Sequence, residues 1–218
     1  MIRNGVNQTL ELVILDCDGV LFDSIRSNVA YYDAIVEKMG GPPLDEEARR
    51  LCHVYSTPQL FAHLYADDPA KVKEAVRIAY TIDYLPFLEY MDAEPGLYEV
   101  LRRLKASYKV ALATNRGKSV PALLARFELE GVFDVVATIL DVESPKPAPD
   151  MLLYCLQKTD LAPEQAVYVG DMENDRIAAE AAGIPFILMG NSISHHLQIR
   201  RLEELPGFLQ RGLFRSRD

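Results

Sequence analysis

The stretch Leu12-Val13-Ile14-Leu15-Asp16-Cys17-Asp18-Gly19-Val20 decides the fold. Four consecutive apolar residues set between Glu11 and Asp16 read as a short strand buried on both faces. Similar runs recur at Val110 to Ala113, Val135 to Leu140, Ala166 to Val169 and Phe186 to Met189. Between the later runs, apolar residues return at helical spacing: Leu97, Val100, Leu101, Leu104; Val120, Leu123, Leu124, Phe127; Met151, Leu152, Cys155; and Ile177, Ala178, Ala181, Ala182, closed by Gly183. Strand alternating with helix predicts an α/β fold, a doubly wound parallel sheet covered by helices on both faces, hence three layers.

One connection breaks the rhythm. Roughly 95 residues separate the first two strands, against about 30 for an ordinary strand-helix-strand unit. Ser24 to Asp92 is helical in pattern and rich in tyrosine (Tyr31, Tyr32, Tyr55, Tyr65, Tyr80, Tyr84, Tyr90), with breaks at Gly40-Gly41-Pro42-Pro43, Thr57-Pro58 and Asp67-Asp68-Pro69. The expected organisation is an α/β core over residues 1–23 and 93–218, with an all-α domain inserted over 24–92. The Pro95-Gly96 pair opens the helix on which the core resumes.

Composition narrows the class. The chain has 218 residues, 49% hydrophobic and 25% charged, which excludes disorder and coiled coil. A net charge of −9 disfavours nucleic acid and anionic membrane surfaces as partners. The arginines near the end (Arg200, Arg201, Arg211, Arg215, Arg217) are diluted by Glu203, Glu204 and Asp218 and read as a solvated helix face and tail. Cys17, Cys52 and Cys155 form no CxxC pair, so neither a disulfide framework nor a zinc site is indicated, and a reducing cytoplasm fits. No leader-like segment opens the chain, and no apolar run approaches bilayer length.

In an open parallel sheet, ligands bind at the carboxyl ends of the strands. After the first run come Asp16 and Asp18; after the second, Thr114-Asn115-Arg116; in the loop after the third, Ser144-Pro145-Lys146-Pro147; after the fourth, Gly170-Asp171-Met172-Glu173-Asn174-Asp175. Carboxylates gathered this closely repel one another and call for a cation. Oxygen-only ligands point to Mg²⁺, and Mg²⁺ to a phosphorylated substrate. Asp16 can attack phosphorus and become an aspartyl-phosphate, while Asp18 protonates the leaving alcohol and then activates water. Lys146 can neutralise phosphoryl charge and Thr114 can donate its hydroxyl to it.

The ordered set Asp16-x-Asp18-Gly19-Val20, Thr114-Asn115, Lys146-Pro147 and Gly170-Asp171-x-x-x-Asp175 resembles the four motifs of the haloacid dehalogenase-like hydrolase superfamily. LDCDGVLFDS, PKPAPD and GDMENDRIAAEAAG are most similar to its phosphoglycolate phosphatase and β-phosphoglucomutase branch, which carries a helical cap between the first two motifs. The resemblance implies a Rossmann-like core, Asp16 as nucleophile and metal ligand, Asp18 as acid/base with its backbone carbonyl on the metal, Thr114 and Lys146 on phosphate, and Asp171 on Mg²⁺. Asp175 supports the metal directly or from behind, or else serves as a helix N-terminal carboxylate. Asn115 reads as a substrate contact beside Thr114 or as a helix cap. Met172 departs from the small hydroxyl residue common there, and Cys17 stands where the family is usually apolar, which predicts a buried, inert thiol.

The expected activity is hydrolysis of a small phosphorylated metabolite, the cap closing to exclude water. A mutase of the β-phosphoglucomutase type is the nearest alternative. A phosphoryl-accepting signalling receiver is disfavoured, because it predicts a phosphoacceptor deeper in the chain and no insertion. Asp18 argues against dehalogenase and phosphonate-cleaving chemistry. The insert's tyrosines read as packing, His53 and His63 as structural or solvent-exposed, His195-His196 as a loop or helix start, and Asp23 equally as a hinge residue or a turn carboxylate. The insert's cations, Arg26, Arg49 and Arg77 among them, read as surface ion pairs or substrate contacts. The particular substrate and the oligomeric state stay open.

Overall fold

The computed structural model describes residues 9–52 and 55–212. The strands are β1 (Leu12–Leu15), β2 (Phe22–Asp23), β3 (Asp92–Ala93), β4 (Lys109–Thr114), β5 (Val135–Thr138), β6 (Ala166–Gly170), β7 (Phe186–Met189) and β8 (Gln198–Ile199). The α-helices are α1 (Ile25–Lys38), α2 (Glu46–Leu51), α3 (Thr57–Leu64), α4 (Pro69–Ala79), α5 (Leu97–Lys105), α6 (Val120–Arg126), α7 (Asp150–Thr159), α8 (Glu173–Ala182) and α9 (Leu205–Gln210). The chain divides into two compact units, Met1–Phe22 with Ala93–Asp218, and Asp23–Asp92. No helix among the described residues is long and apolar enough to cross a membrane.

The core unit is a parallel sheet in the order β5-β4-β1-β6-β7-β8. The chain runs outward from β1 through β4 to β5, then restarts at β6 on the other side of β1, the doubly wound arrangement of a Rossmann-like fold. Register is direct, with Leu12 opposite Lys109 on one side and Ala166 on the other. All four residues of β1 are fully buried, each contributing about 1.5–3 kcal/mol of hydrophobic stabilisation. Leu12, Ile14, Ala111, Ala113 and Tyr168 share a cluster with Met151, Leu152 and Cys155 of α7 and Ala178, Ala179 and Ala182 of α8. The alternate residues Val13, Leu15, Val110 and Leu112 are equally buried and point to the opposite face, where α5 packs on β4 and α9 on α5. Helix α5 buries Leu97, Val100, Leu101 and Leu104, the stripe its sequence spacing predicts.

Three details differ from the expectation. The run from Val135 stops as a strand at Thr138, because the Thr138 hydroxyl and amide both bond to Asp141 and turn the chain, leaving Leu140 exposed. Helix α8 turns Ile177 outward and buries Asp175 on the inner face with Ala178, Ala179 and Ala182. The sheet also carries a sixth strand, β8, only two residues long and half polar, which periodicity does not reveal.

The second unit packs Tyr32, Ile35 and Val36 of α1 with Leu60 and Phe61 of α3 and Ala75, Ile78 and Ala79 of α4. Its aromatic residues are largely internal: the Tyr31 ring meets Tyr32, Tyr84 and Phe87, and its hydroxyl donates to the Ala79 carbonyl at 2.7 Å. Tyr80 and Tyr90 are exposed. Ion pairs within the unit engage Arg26 with Asp92, Arg49 with Asp33 and Arg77 with Glu74. The Asp23 carboxylate accepts from the Ile25 amide at 3.0 Å, a turn contact. His63 is exposed beside the Tyr55 ring, and His53 lies outside the described residues. Strands β2 and β3, where the chain leaves and rejoins the core, pair as a two-stranded sheet.

Candidate active site

The carboxyl ends of β1, β4 and β6 lie side by side in the sheet, so the segments following them converge. Asp16, one residue beyond β1, is nearly buried, and its amide continues the ladder by donating to the Val169 carbonyl at 2.9 Å. Lys146 reaches it from the loop after β5, with Nζ 2.8 Å from Asp16 Oδ1. The same ammonium donates to Tyr168 Oη at 2.8 Å and to Asp175 Oδ1 at 2.7 Å. An ammonium has three N–H groups, and these three contacts use them.

Asn115 fixes that loop. Its side-chain amide donates to the Lys146 carbonyl at 3.0 Å and its side-chain oxygen accepts from the Lys146 amide at 2.9 Å. It therefore clamps the backbone of Lys146 and does not cap a helix, since α6 begins only at Val120. The Thr114 hydroxyl, buried at the end of β4, accepts from the Arg116 amide at 3.1 Å, so its own proton remains to be donated elsewhere.

Asp175 has every lone-pair direction engaged from one side or another. Oδ1 accepts from Lys146 and from the Tyr168 hydroxyl at 2.7 Å, and Oδ2 accepts from the amides of Asp171 and Met172 at 3.2 and 3.0 Å. The helix N-terminal role is thus realised, and the carboxylate also lies in the acidic cluster with Asp16 and Asp171. Ser192 donates to the Asp171 carbonyl. His195 sits in a loop against the Phe186 carbonyl and the Phe186 ring. Cys17 is fully buried, and burial, with Asp18 beside it, holds its thiol well above the usual range, in keeping with an inert side chain.

Asp16, Asp171 and Asp175 each offer a carboxylate oxygen within 4.8 Å of the others. Burial pushes the Asp16 carboxyl up to about 7, against the pull of Lys146 and with reinforcement from Asp175 and Asp18. Asp171 is pushed up to about 8 by burial, with Asp16 and Asp175 adding to it. Burial also works against charge on Lys146, but Asp16 and Asp175 overcome it and hold the ammonium above its ordinary value. Two carboxyls driven upward by desolvation and mutual repulsion, with only oxygen donors facing one another, form a donor set suited to a hard divalent cation.

Two glycines permit this approach. Gly19 has φ of +72°, and a Cβ there would stand 2.1 Å from Asp171 Oδ2. A Cβ at Gly170 would stand 2.4 Å from the Asp175 Cβ. Only a residue without a side chain lets these carboxylates close on the backbone.

Two contributors lie outside the motif reading. Tyr168 falls within the apolar run Ala166 to Val169, yet its hydroxyl joins Lys146 and Asp175 in a fully buried network. It stands two residues before Gly170 on the same strand face, the one signal that could have exposed it. Arg116 grips Asp18 through two hydrogen bonds of 2.7 Å, a partnership spanning 98 positions.

A doubly wound parallel sheet with an acidic cluster and a lysine at its carboxyl edge defines a phosphoryl-transfer type of site. The model of the haloacid dehalogenase-like hydrolase family matches residues 13–189, and the chain belongs to that family of hydrolytic enzymes. It is 30% identical to a phosphoglycolate phosphatase of Pseudomonas putida over 84% of this chain and 71% of that protein. It is 29% identical to the pyrophosphatase PpaX of Bacillus cereus over 80% of each. The crystal structure of a haloacid dehalogenase-superfamily hydrolase from Geobacter sulfurreducens is 37% identical, covers 94% of this chain and 99% of its own, and superposes with a TM-score of 0.78.

Proposed function

We propose that the chain is a Mg²⁺-dependent phosphatase that releases inorganic phosphate from a small phosphorylated metabolite through an aspartyl-phosphate on Asp16. The observation that carries this is the buried Asp16 carboxylate, held through Oδ1 by Lys146 and set against Asp171. Similarity to enzymes named for phosphoglycolate and for pyrophosphate supports the same class.

Asp16 and Asp171 are the residues that would hold the cation, with Asp175 behind them locking the loop and Lys146. Bound Mg²⁺ supplies positive charge to the phosphoryl oxygens. The second oxygen of Asp16 attacks phosphorus, and the bond from phosphorus to the ester oxygen breaks. Asp18, having left Arg116 and taken up a proton from solvent, gives that proton to the departing oxygen, then takes one from the water that cleaves the acyl phosphate, so that phosphate leaves and Asp16 is regenerated. Lys146 has no spare N–H in the resting site; once Asp16 is esterified and loses its charge, the N–H it held turns to a phosphoryl oxygen. The Thr114 hydroxyl donates to another. Asn115 keeps Lys146 in register through the backbone.

The test is phosphate release with Mg²⁺ over a panel that includes 2-phosphoglycolate, pyrophosphate, hexose phosphates and nucleotides, beside Asp16→Asn. Wild-type turnover and a loss of at least about 10³-fold in the variant are expected. Equal activity in the variant removes the nucleophile assignment. Conversion of hexose 1-phosphate to its 6-isomer without net phosphate release makes the chain a mutase.

A further inference from the structure

Tyr168 exchanges no bond with substrate in the proposed reaction, yet its hydroxyl touches the lysine that meets the phosphoryl group. It stands opposite Ile14 in the register of β1 and β6, and its fully buried ring packs in one cluster with Leu12, Ile14 and Phe186. Close packing on every side fixes where Oη lies. Lys146 Nζ, Tyr168 Oη and Asp175 Oδ1 close a triangle with sides of 2.8, 2.7 and 2.7 Å. An ammonium only donates, so the phenol oxygen must accept from Lys146 and give its own proton to Asp175. Tyr168 is therefore a neutral acceptor, which adds no negative charge beside an arriving phosphoryl group.

The Asn115 clamp fixes the backbone of Lys146, but a flexible four-carbon stem separates that backbone from Nζ. What orients the ammonium is its own set of acceptors. Two anchored N–H groups fix the direction of the third by tetrahedral geometry; with one anchored, the third sweeps a cone about that bond. Tyr168 and Asp175 are two fixed anchors, and the third N–H points at Asp16 Oδ1, 2.8 Å away. When Asp16 is esterified and releases that N–H, the two anchors remain. Without the hydroxyl only Asp175 would remain, at the step where direction matters.

We propose that Tyr168 is a positioning residue for this reaction. Its hydroxyl, together with Asp175, aims the third N–H of Lys146 so that this hydrogen bond passes from Asp16 to a phosphoryl oxygen as the aspartyl-phosphate forms. The proposal rests on the phosphatase reading and deepens it.

The first test measures kcat and KM of the wild type and Tyr168→Phe on 2-phosphoglycolate or pyrophosphate, whichever the wild type turns over faster, with rates referred to the folded fraction. A bond made only as the reaction proceeds reads in kcat. The variant should lose about 10- to 100-fold in kcat and change less than about threefold in KM. Loss of folded protein with kcat unchanged makes the hydroxyl merely structural and overturns the proposal, as does a loss confined to KM.

The second test needs no turnover. Lys146 is the one buried lysine among the described residues, so in protein labelled with ¹⁵N at lysine Nζ its ammonium should give the one signal protected from exchange with water. That protection should persist when Mg²⁺ and beryllofluoride, a phosphoryl mimic, are added to the wild type. In Tyr168→Phe with beryllofluoride, exchange should be faster by about 10-fold or more. A wild-type signal that loses its protection with beryllofluoride overturns the proposal even if the variant does not fold. A wild type that hydrolyses no phosphate compound removes the phosphatase reading, and the spectra still decide whether Tyr168 anchors the ammonium.

Discussion

Nζ of Lys146 lies 2.7 Å from Oδ1 of Asp175, and the two side chains are only 4% and 3% exposed. A pair this deep has given up nearly all its hydration, so its stability depends on every lone pair and proton having a partner. Tyr168, Asp16 and the amides of Asp171 and Met172 supply them. The same group of contacts that orients the lysine therefore holds two sheet ends together.

Asp175→Ala removes the acceptor for four of these donors. It should lower unfolding stability by about 3–5 kcal/mol, read from urea denaturation midpoints at constant slope. A change under about 1 kcal/mol would show that the network is incidental to the fold.

Tyr168→Phe keeps the ring, which packs against Phe186 at 6.1 Å between centroids, and deletes only the hydroxyl. A loss of about 1–3 kcal/mol is expected, the cost of leaving Lys146 and Asp175 each one partner short. Combined with Asp175→Ala, the two losses should fall short of additivity by at least about 0.5 kcal/mol, since both edit one network.

At Gly19 an added methyl meets the Asp171 carboxylate and the backbone is left-handed. Gly19→Ala should cost about 1–2 kcal/mol in stability and should displace Asp171 from its place opposite Asp16. Calorimetric titration with Mg²⁺ checks the second effect: affinity should fall well beyond the change in stability, and unaltered affinity would disconnect Gly19 from the cation.

In metal-free protein, Asp16 and Asp171 have folded-state values of about 7 and 8, raised from 3.8. Well below the ordinary value of 3.8 both are protonated whether the chain is folded or not. Between about pH 4 and pH 8 the unfolded chain releases these protons first, so folded stability declines as pH rises and levels off above about 8. The unfolding temperature in chelator should therefore fall from pH 5 to pH 8.5. Saturating Mg²⁺ should reverse the fall, adding about 2.7 kcal/mol at a hundred times its Kd. A flat profile in chelator would mean that the carboxyls are not strained.

Buried strands were legible because a parallel sheet covered on both faces leaves continuous apolar runs, as at Leu12 to Leu15. The acidic, hydroxyl and lysine residues after them were legible because strand ends are where polar groups have no structural reason to gather. Legibility failed where one residue serves two ends. Asp175 takes the inward face of α8 that apolar counting gave to Ile177, since a carboxylate with four donors is as well satisfied there as an alkyl chain. Arg116 finds a partner set by sheet order, which no local pattern carries, and Tyr168 offers only its place on the strand face of Gly170.

The Glu94 amide donates to the Leu21 carbonyl at 2.9 Å, beside the paired strands β2 and β3. The two cut ends of the core are thus already stitched to each other, and whatever is threaded between them closes a loop without prying the sheet apart. Such a gateway lets the intervening helices be swapped, lengthened or pared back while the sheet stays untouched.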